Sequence, residues 1–470
     1  MQRIVLYLFL ALVVLAPLPL ASNRPLPALA LAAGLGAVLL LWSLAALRER
    51  ALVSIPPRYS FWLAAPFLLY LLWAWLLTLP GFGPPHPVWL QAEAALQTPL
   101  RSRAALSPSA AGATLINVMG YGAAFWLALH LGRRSRDARL ILGVLAVAMV
   151  AYALYGLAML LGGFDRVLWY ERWAYRDSVT STFVNRNNYA TYAGLGLLLV
   201  LALFVEQIHA AARLAVGGLR AAIVGVIDES GTALWLLMTA VLVIAAALVL
   251  TGSRAGVGAA GIGVLALFAA FGLARGTRAR IWLLGLVAIL AAGAAIASIG
   301  GAYLLDRLVD LEANATSRLE LLKLALQQIA ERPWFGHGPG SFPAVFELAR
   351  SEAFDEDLFS YQRVHNTYLE VALESGLPGL ALLLGAIVWA NLLCLRGVLR
   401  RREAYVFPAI GLAATALVAV HSLVDFGLQI PAVSVTYFTL LGLGVAQSWR
   451  RSDIEGRPGP RRDPAEDESA

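Results

Sequence analysis

Three arginines in the sequence share one local setting, because each directly follows a residue that commonly caps the N-terminus of a helix. They are Arg186 after Asn185, Arg254 after Ser253 and Arg318 after Ser317. A helix N-terminus offers free backbone N–H groups and a partial positive charge, and a guanidinium adds a planar fork of donors. Three such positions facing one compartment predict a site for an anion such as a diphosphate. The alternative is that these arginines extend toward lipid headgroups.

A histidine stands in a similar setting. His365 precedes Asn366, and the next residues, Thr367 and Glu370, have the spacing of a capping box. A nearby positive helix end and arginines disfavour an imidazolium, so we expect a neutral imidazole at pH 7 that is able to act as a general base. A histidine held only for packing or capping is the alternative.

Other polar residues are weaker candidates. His337 lies in a glycine-rich turn that could approach a sugar or phosphate closely, or could be purely structural. Asp425 lies between the last two apolar stretches, where it could orient His365 or an arginine, or serve as a buried cap. Asp355 and Asp357 match the Asp-x-Asp pattern of some metal sites, but their acidic surroundings favour a solvated loop.

The composition predicts an integral membrane protein. The 470 residues are 60% hydrophobic and 14% charged, with a mean hydropathy of +0.72. A net charge of +7 would suit a nucleic-acid binder, but the basic residues form short clusters between apolar runs and therefore indicate topology. The single cysteine, Cys394, lies within an apolar run, so we expect it to serve packing and exclude a disulfide framework or a cysteine metal cluster.

Apolar stretches long enough to cross a bilayer recur twelve times. They lie near residues 3–21, 26–47, 59–79, 111–131, 139–162, 189–206, 233–251, 257–275, 281–303, 376–395, 404–422 and 427–447. With the N-terminus inside, every inner loop contains arginine and most outer loops contain less. The sequence therefore predicts an all-α membrane protein of about twelve transmembrane helices with both termini inside. The first stretch is longer than a signal peptide's apolar core, so we expect it to be retained.

Two outer segments are too long for simple turns. Residues 80–110 are rich in Pro and Ala, and we expect them to lie along the membrane interface. Residues 304–375 contain a capping-box pattern at Ser317 and Glu320, followed by leucines at helical spacing until Pro333. This pattern predicts a folded outer subdomain with a helix that begins at Ser317.

Four motifs, taken in chain order, resemble the O-antigen ligase and O-antigen polymerase superfamily. They are the run Thr180 to Asn188 before a span, the turn Thr251 to Gly256, the helix at Ser317-Arg318 that leads to Arg332 through Gly338, and the run His365 to Glu370. The resemblance covers about Val179 to Pro431. We therefore expect helices 1–5 in residues 1–178, a ligase-like core in 179–450 that includes the loop 304–375, and a disordered cytoplasmic tail in 451–470.

The resemblance implies a GT-C-like fold and an inverting, metal-independent glycosyltransferase without a cofactor. Such an enzyme would lie in the bacterial inner membrane and act at the periplasmic face on a glycan carried by undecaprenyl diphosphate. By position, Arg186, Arg254 and Arg318 would bind the diphosphate, and His365 would be the catalytic base. Possible supporting residues are His337, Asp425 and Asn366. The expected partners are this donor, a lipid or glycan acceptor and membrane lipids, but no nucleic acid.

Alternatives remain within and beyond this class. A ligase transfers the glycan to a lipid A core or similar acceptor, whereas a polymerase uses another lipid-linked repeat, and the sequence does not separate the two. A lipid-linked glycan flippase would also be a basic multispan protein. It should show repeated halves and charges that line a cavity, yet the centres of the predicted spans contain no Asp, Glu, Lys or Arg. These observations favour a ligase or a polymerase over a flippase.

Overall fold

The computed structural model describes residues 1–49, 55, 57–214, 231–275, 311–350, 361–401 and 404–449, and this part of the chain is almost entirely helical. Its fourteen α-helices are α1 (Gln2–Leu15), α2 (Pro25–Arg48), α3 (Pro57–Leu76), α4 (Pro87–Leu96), α5 (Pro108–Leu131), α6 (Ser135–Leu161), α7 (Arg186–Leu214), α8 (Gly231–Val249), α9 (Arg254–Arg275), α10 (Leu311–Glu331), α11 (Phe342–Ala349), α12 (Thr367–Arg400), α13 (Val406–His421) and α14 (Pro431–Ala446). A short antiparallel hairpin, β1 (Arg166–Val167) and β2 (Tyr170–Glu171), lies between α6 and α7. The predicted all-α fold is confirmed.

Seven described helices are long and apolar enough to cross a membrane, namely α2, α5, α6, α7, α8, α9 and α12. Helices α1, α3, α13 and α14 are apolar but shorter. These eleven helices coincide with eleven of the twelve predicted spans. The predicted span at 281–303 and the tail at 451–470 lie outside the described residues, so the number of twelve stays a prediction.

Helix α14 lies at the centre of the bundle. Nearly all of its side chains are buried, and it packs against α5, α12 and α13. Glycine permits the close approach, since a Cβ added at Gly442 would lie 2.5 Å from the Phe125 carbonyl oxygen. Cys394 of α12 is fully buried beside Gly411 and Gly444, which confirms its predicted role in packing.

Other helices expose large apolar side chains along one face. Leu47 of α2 is 81% exposed and Val147 of α6 is 72% exposed. Exposed apolar faces of this kind suit contact with lipid acyl chains rather than with water. The exposure therefore agrees with a multi-pass membrane protein.

A second hydrophobic cluster lies apart from the bundle core. It joins residues 311–350, which contain α10 and α11, to residues 361–373, and these two ranges together are called the loop subdomain below. The buried members of this cluster are Leu321, Leu324, Ala325, Phe342, Val345, Phe346, Val364 and Leu373. A shared apolar core holds the described elements of this loop together, as the predicted folding of the loop requires.

The segment 80–110, which contains α4, is fixed to the loop subdomain. His86 Nε2 and His337 Nδ1 lie 2.9 Å apart, and both rings are buried. The Arg332 guanidinium donates to the carbonyl oxygens of Pro84 at 3.0 Å and Pro85 at 3.3 Å. His86 and the carbonyl groups of Pro84 and Pro85 therefore attach this segment to the loop subdomain.

Helix α12 is broken near its start. Gly376 has φ of 68°, which favours glycine, and Pro378 follows two residues later. The Leu377 N–H donates to the Pro333 carbonyl at 2.8 Å. A Cβ added at Gly376 would lie 2.2 Å from the Trp334 carbonyl oxygen. The break thus lets the turn after α10 pass directly against α12, at the position where the predicted span begins.

The predicted start of α10 is wrong. The helix already extends through Leu311, so Ser317 lies within it and is not its cap. Residues 311–316 include Leu, Glu and Ala, which favour helix and extend it upstream of the capping-box pattern. Arg318 is consequently in the third turn of α10, where the backbone N–H groups are not free. Its contribution to an anion site rests on the guanidinium alone.

Candidate active site

The start of α12 fixes the position of His365. Asn366 caps the helix, because its side-chain oxygen accepts from the Leu369 N–H at 3.0 Å, while its amide nitrogen donates to the Leu423 carbonyl at 2.9 Å. The predicted cap, Thr367, is therefore wrong by one residue. The Thr367 N–H donates to the Ser422 carbonyl at 2.9 Å. These bonds join the start of α12 to the loop after α13.

The backbone at His365 has a conformation that is uncommon for a residue with a side chain. Its φ is 59°, in the left-handed region, which costs about 1 kcal/mol or more unless neighbouring contacts hold it. The buried Glu370 carboxylate supplies such contacts on the preceding side. It accepts from the Val364 N–H at 2.9 Å and pairs with Arg363 at 2.8 Å. Contacts on both sides of His365 thus determine where its ring points.

The His365 ring lies beside a buried carboxylate. Its Nδ1 is 3.8 Å from Asp425 Oδ1, and the ring meets Phe426 edge to face at 4.8 Å between centroids. Burial, with a smaller effect from the charge of Arg318, lowers the pKa of His365 to about 4. The imidazole is therefore neutral at pH 7 and free of a proton on one nitrogen, as a general base requires.

Asp425 is buried in the loop between α13 and α14. Its Oδ1 accepts from the Phe426 N–H at 2.7 Å, and the Asn187 side chain also bonds the carboxyl group. Burial raises the pKa of Asp425 to about 6, against the opposing effects of these hydrogen bonds and of Arg318. The carboxyl group is consequently mostly ionised at pH 7, next to the candidate base.

Arg318 and Arg186 both belong to this neighbourhood. The charge of Arg318, an exposed residue of α10, acts on both His365 and Asp425. Arg186 is the first residue of α7 and precedes Asn187, whose side chain reaches Asp425. Its guanidinium lies over the Tyr175 ring at 5.3 Å from the centroid. The charge of Arg318 therefore acts on the candidate base and its carboxylate, while Arg186 is adjacent in the chain to a residue that acts on Asp425.

Arg254 lies at a neighbouring helix start. It is the exposed first residue of α9, where the Ser253 hydroxyl accepts from the Gly256 N–H at 3.2 Å. This cap is the one predicted from the sequence. Helix α9 meets α7 closely, since a Cβ added at Gly256 would lie 2.5 Å from the Ala190 Cβ. Ala190 is one turn beyond Arg186, so the N-terminal ends of α7 and α9 lie side by side.

His337 has a structural environment. One ring nitrogen faces His86, and the other lies 3.1 Å from the Gln328 carbonyl oxygen. Its backbone carbonyl accepts from the Leu106 N–H at 2.7 Å. Burial lowers the pKa of His337 to about 4. Because both ring nitrogens have neighbours within hydrogen-bond distance, the geometry favours the structural explanation over contact with a sugar or phosphate.

Metal ligation finds no support in the described segments. They contain no group of three or more His, Cys, Asp or Glu side chains placed to hold a metal ion. Asp355 and Asp357 lie outside the described residues.

Sequence reasoning missed three polar residues that meet Asp425 or its neighbours. They are Asn187, Thr191 and His421. The spacing of His421 and Asp425, four residues apart at the end of a helix, was a signal that one turn could hold both. Nothing local in the sequence indicates that Asn187 and Thr191 of α7 face that turn, because this contact joins residues more than two hundred positions apart.

Comparison with known proteins agrees with this geometry. Residues 239–384 match the family model of O-antigen ligase. The matched stretch is less than half of the chain and contains Arg254, Arg318 and His365, whereas Arg186 and Asp425 lie outside it. A search among curated proteins gave no match. The chain is thus similar to the O-antigen ligase family over residues 239–384.

Proposed function

We propose that the protein is a glycosyltransferase of the O-antigen ligase type. It would transfer a glycan from undecaprenyl diphosphate to a lipid A core or similar acceptor at the periplasmic face of the inner membrane. The observation that carries this proposal is the neutral His365, held beside Asp425 and Arg318 at the edge of the stretch that matches the O-antigen ligase family. A base, its carboxylate partner and a cation are the groups that such a transfer requires.

The arginines would prepare the leaving group. A diphosphate leaves readily once its negative charge is neutralised, and guanidinium groups do this through bidentate hydrogen bonds without a metal ion. Arg254 and Arg186 stand at the first positions of α9 and α7, where the positive end of the helix dipole adds to the attraction. Arg318 would contribute through its side chain only. The site would thus bind the diphosphate between two helix ends and α10.

His365 would activate the acceptor. Its Nδ1 faces Asp425, so Nε2 is the nitrogen available to a substrate. An acceptor hydroxyl would give its proton to Nε2 as its oxygen bonds to the anomeric carbon. The bond from that carbon to the diphosphate oxygen breaks in the same displacement, and its electron pair leaves with undecaprenyl diphosphate. One displacement inverts the anomeric carbon. The Asp425 carboxylate would stabilise the imidazolium that forms.

Transfer in a defined assay tests the proposal. The full chain in proteoliposomes would receive undecaprenyl-diphosphate-linked glycan with either lipid A core or a second lipid-linked glycan as acceptor. We expect transfer to the lipid A core, retained in excess EDTA. Transfer only between lipid-linked glycans would identify the polymerase, which shares the donor chemistry. Export of the donor without any glycosidic bond formation would instead support a flippase and contradict the proposal.

Two variants make the assay specific. His365→Ala should keep donor binding and lose most of the turnover, because general-base assistance contributes about 10² to 10⁴ in rate. Arg350→Ala is the matched control, since Arg350 is an exposed residue of the same loop subdomain whose ion pair with Glu347 is exposed. It should leave both binding and turnover unchanged. Full turnover in His365→Ala would remove the proposed base.

A further inference from the structure

A second histidine lies on the other side of the Asp425 carboxyl group. His421 is the last residue of α13 and is buried, and its Nε2 lies 4.0 Å from Asp425 Oδ2. The Asp425 N–H donates to the His421 carbonyl at 3.0 Å. One backbone turn therefore holds the imidazole and the carboxyl group in fixed relation, with His365 on the opposite side of Asp425.

The hydroxyl of Thr191 determines which tautomer His421 adopts. Thr191 Oγ1 lies 2.7 Å from His421 Nδ1 and 3.3 Å from the Asn187 carbonyl oxygen. The hydroxyl has one proton, which either the Asn187 carbonyl or His421 Nδ1 can accept. An unprotonated Nε2 facing the Asp425 carboxylate would be unfavourable, so we assign the hydroxyl proton to His421 Nδ1. Nδ1 is then the acceptor, so the ring proton is on Nε2. That proton is directed toward Asp425 Oδ2.

His421 Nε2 and Asp425 Oδ2, which lie 4.0 Å apart, both need a hydrogen-bond partner. Among the described residues, neither His421 Nε2 nor Asp425 Oδ2 has a hydrogen-bond partner, although both are buried. Leaving a buried polar atom unpaired is costly, and hydrogen bonds in an active site are often long before the substrate binds. A small rotation of either side chain would close the 4.0 Å distance to a hydrogen bond.

The packing of the loop supports this arrangement. Gly427 lies against Thr191, where an added Cβ would be 2.9 Å from Oγ1, so the loop after Asp425 approaches α7 closely. The groups that face Asp425 come from four elements. They are His365 before α12, His421 of α13, Asn187 of α7 and Arg318 of α10. Of these, His421 has its ring nitrogen 4.0 Å from Oδ2, whereas His365 faces Oδ1.

We propose that His421, held by Thr191, is a positioning residue that donates from Nε2 to Asp425 and so keeps this carboxylate directed at His365. The catalytic consequence rests on the proposed function, but the hydrogen bond itself does not. Because a donor favours the ionised carboxylate, His421 would help Asp425 to stabilise the imidazolium of His365 during turnover.

The hydrogen bond can be tested without any substrate. The full chain, labelled with ¹⁵N-histidine in lipid nanodiscs, would give the imidazole resonances by NMR, and His421→Asn and His421→Gln would each assign those of His421. We expect the neutral Nε2–H tautomer at pH 7 and a change in the Nε2 resonance when Asp425 is replaced in Asp425→Asn. The Nδ1–H tautomer, or a resonance that Asp425→Asn leaves unchanged, would overturn the proposal.

Kinetic measurements on two His421 variants distinguish a positioning role of His421 from a role in packing alone. In His421→Gln the side-chain nitrogen takes the place of Nε2, whereas in His421→Asn it takes the place of Nδ1 and leaves Asp425 without its donor. We expect His421→Asn to lower kcat about tenfold or more at unchanged donor KM, and to move the rising limb of the pH profile up by about one unit. His421→Gln should stay near the wild type. Thr191→Ser and Thr191→Val form a second pair, of which only Thr191→Val should be impaired.

Equal losses in His421→Gln and His421→Asn, with the same pH profile as the wild type, would show a structural role and overturn the proposal. A wild-type chain that transfers no glycan would contradict the proposed function instead. In that case the histidine resonances would still decide whether His421 donates to Asp425. The two failures are therefore distinguishable.

Discussion

At the scale of single residues, the pKa values of the candidate base and its carboxyl partner are shifted in opposite directions and exchange their order. Burial lowers the pKa of His365 to about 4 and raises that of Asp425 to about 6. Between these values the imidazole is already neutral, but much of its carboxyl partner is still protonated. Activity that depends on both groups should therefore follow the ionisation of Asp425, not that of His365.

The pH profile tests this order. We expect kcat to rise with pH through about 6, because an ionised Asp425 stabilises the imidazolium and protonated Asp425 does not. Asp425→Asn should lower kcat about a hundredfold and abolish the rising limb near pH 6. The profile is measured as glycan transfer at saturating donor between pH 4.5 and 8. A limb that persists near pH 6 in Asp425→Asn would assign the titration to another group.

The arginines make a second prediction at this scale. Arg254→Lys and Arg318→Lys keep the charge but lose the bidentate fork, so each should weaken binding of the lipid-diphosphate donor about tenfold or more. Alanine in the same positions should weaken it further, and Arg350→Ala provides the control. Equilibrium binding of labelled donor to the proteoliposomes measures the effect. Unchanged binding in Arg254→Ala and Arg318→Ala would remove the diphosphate site from these residues.

At the scale of elements, apolar stretches predicted the positions of the spans well, whereas capping patterns predicted the first residues of helices less reliably. Eleven predicted spans correspond to helices because each needs only a run of apolar residues. The cap at Ser253 is correct, but α10 begins before Ser317 and the cap of α12 is Asn366. Helix-forming residues upstream of Ser317 extend α10, and the hydrogen bond from the Asn366 side chain to the Leu423 carbonyl helps to place the cap of α12 at Asn366. Neither tertiary contacts nor competition between neighbouring caps is visible in one local pattern.

The break in α12 supplies a prediction at the element scale. Gly376→Ala introduces a Cβ against the Trp334 carbonyl at a positive φ, so we expect it to destabilise the contact between the loop subdomain and α12. Gly385→Ala is the matched control in the same helix, because nothing lies within 4 Å of its added Cβ. It should be neutral or slightly stabilising. Thermal unfolding in detergent measures both, and equal melting temperatures would show that the break does not depend on glycine.

At the scale of the whole molecule, the candidate site joins parts of the chain that the sequence keeps far apart. The N-terminal end of α7, the loop after α13, the start of α12 and α10 all meet around Asp425. His365, Arg254, Arg318, Arg186 and Asp425 were all candidates from the sequence, because each stands next to a predicted helix end. Tertiary packing brings His365, Arg318 and Asp425 together, and it also explains why His421 and Thr191 went unnoticed.

This assembly requires the helix ends that carry the site to face one side of the membrane, which the arginine distribution predicts to be the outside. Thr98 in the segment attached to the loop subdomain and Arg136 at the start of α6 should then lie on opposite sides. Cys394 is the single cysteine of the sequence, so the Cys394→Ala variant has no native thiol. In this background, Thr98→Cys in intact cells should react with an impermeant maleimide. Arg136→Cys should react only after the membrane is opened. Labelling of both from one side would contradict the topology and, with it, a periplasmic site for His365.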